Sequence, residues 1–246
     1  LSTGGTILTV VSGEWRDLTE RMQEQAGHAG VMLDEFDRIV ALNLTVTPKI
    51  VETEAMGTLN IVLGELDREW LPAVKTWKLN ERHYGALQGL DKTKTARQYG
   101  DAQVKIWRRS FDVRPPQLSE TDPRNPRNPR LQSQYRNEAS EVLPLGESLA
   151  DTVARVIPYF NQVIKPEIAR GRRVVIAAHG NSLRALVMYF ERLSQPEIIG
   201  VDIPTGVPLV YEFDANWEVV RKGYLGDQDS IRTKIENVAR QGMNEN

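Results

Sequence analysis

Arg173-Val174-Val175-Ile176-Ala177-Ala178 is an unbroken apolar run behind a single cation, and His179-Gly180-Asn181-Ser182 follows it directly. A run this short and apolar reads as a strand buried on both faces. Leu183 to Leu193 reads as a helix, so the unit is strand, tight turn, helix. In open α/β sheets ligands sit at the carboxyl ends of strands, and His179 holds that place. Gly180 would let a ligand approach the backbone, and the helix start at Asn181-Ser182 offers free N–H groups to an anion. A strand-end histidine is as often a satisfied structural residue, so its neighbours have to carry the functional reading.

Working outward, Thr6 to Val11 reads as a second short buried strand, broken by Ser12-Gly13. Leu18 to Leu33 reads as a helix capped by Thr19, whereas Ile39 to Val51 gives no clear signal. Met56, Leu59, Leu63, Leu66 and Trp70 form one helical face, stopped near Pro72. Val74 to Leu79 alternates weakly, as a strand leading into Asn80-Glu81-Arg82 would. Thr93 to Ser110 and Ser148 to Ile168 read as helices, Leu209 to Phe213 as a strand and Asp229 to Arg240 as a last helix. Residues 115–137 are rich in Pro, Asn and Arg, which predicts a long surface loop. The expected fold is one α/β domain over residues 1–246: a mainly parallel sheet flanked by helices on both faces, with Val174 to Ala178 central.

Composition excludes several function classes. The formal net charge of −2 argues against a nucleic-acid binder. Cysteine is absent, which removes disulfides, thiol nucleophiles and thiolate metal sites. No apolar run is long enough to span a membrane, and no secretory signal opens the chain, so the expectation is a soluble cytoplasmic protein. The sequence begins with Leu1 rather than Met and reads as a fragment, a processed form or an edited chain.

Leu79-Asn80-Glu81-Arg82-His83-Tyr84-Gly85 places a carboxylate, a guanidinium, an imidazole and a phenol within four residues. It reads either as a solvated loop with a local ion pair or as a general acid/base beside a phosphate clamp. Lys92, Arg108 and Arg109 follow, interleaved with Trp107, which favours a small polyanionic substrate over a merely solvated face.

The run Leu79 to Lys92, together with Val104-Lys105-Ile106-Trp107-Arg108-Arg109, Ile176 to Arg184 and Pro204-Thr205-Gly206-Val207-Pro208, resembles the signature of the 2,3-bisphosphoglycerate-dependent phosphoglycerate mutases. The resemblance runs from about Thr58 to the C-terminal tail, some three quarters of the chain, and departs most in Asp122 to Asn137. It implies a histidine-phosphatase α/β fold. It also implies phosphoryl exchange between the 2- and 3-hydroxyls of glycerate through a phosphohistidine, with 2,3-bisphosphoglycerate as primer and no metal. Glu81 would be the proton donor and acceptor, and His179 would steady the phosphoryl group. Arg82, His83, Tyr84, Lys92, Arg108, Arg109, Gly180 and Asn181 would hold phosphates and carboxylate. The partners implied are small phosphoglycerates, with no nucleic acid and no membrane; a homo-oligomer is left open.

The N-terminal stretch of about 55 residues breaks the pattern. The family's nucleophile lies in an Arg-His-Gly motif at the end of its first strand, and no such motif is present. Counting back from Glu81 lands on Thr3. Matching strand ends puts Ser12-Gly13-Glu14 there instead. A third register pairs Ser12-Gly13-Glu14-Trp15 with the Ser-Gly-Trp that follows the motif, which makes Ser12 and Gly13 substrate contacts. The chain has three histidines, His28, His83 and His179, and every register lacks the nucleophile. Glu54 also stands where a phosphate-binding arginine belongs, a charge reversal worth on the order of a few kcal/mol against a polyanion. The region reads as an altered or misread N-terminal coding segment, or as the mark of a catalytically dead relative. Ser2-Thr3-Gly4-Gly5-Thr6-Ile7 also resembles the nucleophile segment of bacterial-type asparaginases, but their Gly-Thr-Asp-Thr partner segment is missing. Three functions are therefore weighed: a phosphoglycerate mutase, a phosphate-binding pseudoenzyme, and an amidase using Thr3.

Overall fold

The computed structural model describes residues 6–11, 38–41, 54–65, 67–90, 92–127 and 135–243. The apolar run forms strand β3 (Val174–Ala178), with all five residues buried. It lies between β1 (Thr6–Val11) and β2 (Arg38–Ala41), parallel to both, in a sheet of order β2-β3-β1-β4-β5. Strand β4 (Leu209–Phe213) is antiparallel to β1 and to β5 (Val219–Tyr224), so of these five strands only β4 runs against the rest. The expected direction of the sheet therefore holds, with a hairpin at one edge. The sequence reading missed β5 because it carries Arg221 and Lys222 on a largely exposed edge and shows no apolar pattern.

Eight α-helices are found among the described residues, and most follow from local signals. Helix α1 (Glu54–Glu65) packs against β3 and β2 through a face that includes Leu59, Val62 and Leu63. The predicted stripe overran this helix: the chain leaves it through Asp67 at φ 50, Arg68 N–H returns to the Leu63 carbonyl at 2.8 Å, and Trp70 is 70% exposed. Val74 to Leu79 is not a strand. Its end is a 3₁₀ turn, Trp77–Leu79, capped by Thr76. The helix expected over Thr93 to Ser110 is two, α2 (Lys92–Tyr99) and α3 (Asp101–Arg109), parted at Gly100 with φ 81.

Helix α4 (Leu149–Tyr159) starts on a capping box between Ser148 and Asp151. It continues through a wider π-type turn (Phe160–Ile164) into α5 (Lys165–Ala169), matching the predicted extent. Helix α6 (Gly180–Glu191) begins earlier than expected, so Asn181 and Ser182 lie in its first turn. A short α7 (Gln195–Ile199) follows, and α8 (Gln228–Met243) closes the chain segment described. Val174, Ile176 and Ala178 share a core with Val156, Phe160 and Ile164 and with Leu183, Leu186 and Val187 of α6. Val175 and Ala177 alternate to the other side and are buried too, so both faces of β3 are covered.

The predicted surface loop is anchored more firmly than its composition suggested. Pro115, Leu118, Asn125, Pro126 and Tyr135 are buried. Gly85 (φ 57) packs so closely on it that an added Cβ would lie 2.1 Å from the Pro116 carbonyl oxygen, while Ala86 N–H donates to that oxygen at 2.7 Å. Arg124 binds Asp122 and donates to the Gln88 carbonyl, tying the loop to the Glu81 motif. Residues 128–134 lie outside those described, as do the helix expected over Leu18 to Leu33 and most of Ile39 to Val51, of which only β2 is seen. Among the described residues no helix is long and apolar enough to cross a membrane.

Candidate functional site

Strands β1 and β3 end together, Val11 opposite Ala178, and His179 is the next residue along β3. His179 caps α6 in an extended conformation and is buried, which places an imidazole at the carboxyl edge of the sheet. A Cβ built on Gly180 would meet no atom within 4 Å, so open space lies before it. Asn181 turns back from the first turn of α6 towards Glu81. Its Nδ2 donates to Glu81 Oε1 at 2.6 Å and to the Tyr84 hydroxyl at 3.1 Å, and its backbone N–H donates to Glu81 Oε2 at 3.2 Å. The carboxylate also accepts the Arg82 N–H at 2.6 Å. The Glu81 and His179 segments therefore converge, although 100 residues separate Glu81 from Asn181.

Cations close the site around Tyr84. Arg82 is 1% exposed, sits 4.6 Å from the Tyr84 ring centroid and donates through Nη2 to the Arg108 carbonyl at 2.8 Å. The Arg108 guanidinium lies 5.4 Å from the same ring. Arg184 donates to Asn181 Oδ1 at 3.2 Å and to the Ile198 carbonyl at 2.5 Å. Burial, then the neighbouring Arg82 guanidinium, lowers the Arg184 pKa; Asp202 opposes this and Arg109 adds to it. Arg109 itself pairs with Asp202 at 3.5 Å. Among the described residues the Nε atoms of Arg82, Arg108 and Arg184 are buried without a hydrogen-bond partner. Three guanidinium groups thus gather beside Tyr84 and Asn181, a concentration of positive charge that suits a polyanion.

Sequence reasoning passed over Arg184, Glu147 and Arg155. Arg184 stands three residues after Asn181 on the same helix, a spacing that shares a face and could have flagged it. Of the predicted set, Lys92 opens α2 and Glu54 opens α1, but their side chains lie outside those described. Ser12, Gly13, Thr3 and His28 lie outside the described residues altogether. Among the described residues no cluster of His, Cys, Asp or Glu could hold a metal ion.

His83 packs into the turn that follows Glu81. It is buried, and its Nδ1 accepts the Gly85 N–H at 3.0 Å. Burial pushes its pKa down to about 4; Glu147 opposes this, Arg155 and Arg124 add to it, and Asp122 opposes it. An unfolded histidine takes up a proton near pH 6.5, so in the window from about 6.5 down to about 4 only the unfolded state is protonated. Stability should therefore fall by on the order of 3 kcal/mol across that window on acidification and level off below it. In His83→Asn, whose side-chain carbonyl can still accept from Gly85, denaturant midpoints should lose this part of the pH dependence. An unchanged acid limb would show that His83 is not its source.

Comparison with known proteins gives one direction. The profile of the histidine phosphatase superfamily (branch 1) matches residues 17–127 and 119–222. A 2,3-bisphosphoglycerate-dependent phosphoglycerate mutase of Treponema denticola is 56% identical over 228 residues, covering 92% of this chain and 89% of the relative. The enzyme of the same name from Lachnoclostridium phytofermentans is 53% identical over 226 residues, covering 92% and 88%. Among solved structures, the α-ribazole phosphatase of Shigella flexneri superposes with a TM-score of 0.57 at 16% identity, covering 90% of this chain and 96% of that one. At that identity the likeness concerns the fold.

Proposed function

This chain belongs to the histidine phosphatase superfamily, and from that premise we propose that it is a phosphoglycerate mutase by descent, with a site built for 2- and 3-phosphoglycerate. The observation that carries the proposal is the juxtaposition of Glu81 with Asn181, beside the clustered guanidinium groups of Arg82, Arg108 and Arg184. In this reading Glu81 moves the proton of the substrate hydroxyl. Asn181 and Tyr84 fix the carboxylate that does so. Arg82, Arg108 and Lys92 neutralise phosphate and carboxylate charge, and His179 stabilises the phosphoryl group in transit. Phosphoryl transfer depends on positioning and charge neutralisation more than on covalent help, which suits such a site.

The clustered guanidinium groups and the open space before Gly180 fit 2,3-bisphosphoglycerate as well as the monophosphates. When bound, that cofactor supplies the phosphoryl group that primes the enzyme. Arg82, Arg108, Tyr84 and Asn181 are the residues that would hold it. A second reading, a phosphate-binding pseudoenzyme, is favoured by one specific fact: beside His179 the chain offers only His28 and His83 as imidazoles. The amidase alternative has no support in a superfamily match that spans residues 17–222.

Calorimetry at low salt with 3-phosphoglycerate and with inorganic phosphate tests the site itself. Both should bind. Arg108→Ala should weaken 3-phosphoglycerate by roughly 10- to 100-fold, the worth of a charge-assisted contact. Absence of binding by either anion would remove the basis for this reading.

A further inference from the structure

Glu81 lies in a segment with no strand or helix of its own: the 3₁₀ turn ends at Leu79 and the next begins at Gly85. The backbone polar groups of such a stretch need partners from elsewhere. One buried ion pair supplies several of them. Arg155, on α4, grips Glu147 through Nε at 2.7 Å and Nη2 at 3.0 Å, and the two side chains are 8% and 5% exposed. The same guanidinium donates to the carbonyls of Lys78 at 2.7 Å, Asn80 at 2.9 Å and Glu81 at 3.2 Å. Glu147 brackets His83 from both sides, its Oε2 accepting the His83 N–H at 2.8 Å and its own N–H donating to the His83 carbonyl at 2.7 Å. From the other side Ser182 Oγ, on α6, donates to the Asn80 carbonyl.

We propose that Arg155, locked by Glu147, is the positioning residue for the acid/base segment: by holding the backbone of Lys78 to His83 it sets where the Glu81 carboxylate and the Arg82 guanidinium stand relative to α6. Neither Arg155 nor Glu147 contacts the Glu81 carboxylate in the structure; their effect on it runs through the backbone. Lysine could not replace Arg155, because a single ammonium cannot match a carboxylate fork and three carbonyls at once. The proposal rests on the reading of Glu81 given above.

The test is amide hydrogen exchange by NMR on wild type, Arg155→Lys and Glu147→Gln, with 3-phosphoglycerate titrations alongside. The amides of Arg82 and Asn181 report directly, since both donate to the Glu81 carboxylate and neither bonds to residue 155 or 147. In Arg155→Lys they should exchange at least about tenfold faster relative to the β3 amides, and 3-phosphoglycerate affinity should fall about tenfold. Glu147→Gln should act in the same direction and takes over as the test if the lysine variant does not fold. A uniform acceleration of all amides would reduce Arg155 to a general stabiliser and overturn the proposal, as would unchanged exchange at Arg82 and Asn181. If wild type binds no phosphoglycerate, the mutase reading of the site fails, whereas the exchange pattern still decides the positioning role.

Discussion

Incubated with 2,3-bisphosphoglycerate, the 246-residue chain is expected to retain no stoichiometric acid-labile phosphate. It should interconvert phosphoglycerates roughly 10⁴- to 10⁶-fold more slowly than an enzyme with its nucleophile in place, the scale of nucleophile removal. A phosphoenzyme needs a group that attacks phosphorus and then leaves readily near neutral pH. Imidazole does both, whereas a serine or threonine ester is far more inert, so Ser12 and Thr3 cannot inherit the role. His83 is buried with Nδ1 already accepting from Gly85. His179 holds the end of β3, where the resemblance assigns it to stabilising transfer, and employing it as nucleophile would leave that task undone. Stoichiometric phosphohistidine together with near-normal turnover would prove this reading of the N-terminal region wrong.

The second large effect concerns one atom of Asn181. Its Oδ1 accepts from Arg184, so its Nδ2 faces Glu81 Oε1 at 2.6 Å. Asn181→Asp exchanges that donor for an oxygen and sets two carboxylates against each other. At 2.6 Å, and an effective dielectric near 20, the repulsion is on the order of 6 kcal/mol. The pair would therefore hold one proton well above the ordinary carboxylate range. Affinity for 3-phosphoglycerate should drop about 100-fold or more at pH 8 and by less at pH 5.5, where the proton is retained. Wild-type affinity at pH 8 would mean that Asn181 does not orient Glu81.

What could be read from the sequence was whatever is local. The β3–His179–Gly180–Asn181 unit and the Asn80 to Tyr84 cluster carry their chemistry in consecutive residues, and both stand where expected. The hydrophobic stripe beyond Glu65 misled because periodicity does not register a left-handed Asp67. Gly100 divided a helix that was read as continuous. The Arg155–Glu147 grip left no local signature. Glu147 lies outside helix α4, so the pair has no helical spacing, and each looks like an ordinary surface charge until burial is known. The loop at 115–127 looked solvated by composition, yet its Pro116 and Arg124 pack on the Gly85 turn.

The long separation between Glu81 and its partners also sets a timetable during synthesis. Glu147, Arg155 and Asn181 lie 66, 74 and 100 residues after Glu81, by subtraction of their positions. At a translation rate of roughly 5–20 residues per second, the Glu81 segment waits about 5–20 s before Asn181 has even been made. During that interval the loop of Asn80 to His83 leaves the ribosome with an unpaired carboxylate, an unpaired guanidinium and several bare carbonyls. The face that carries the proposed site is thus among the last parts of the nascent protein to become native, and a chain stalled or cleaved before α6 would present it permanently open to chaperones and proteases.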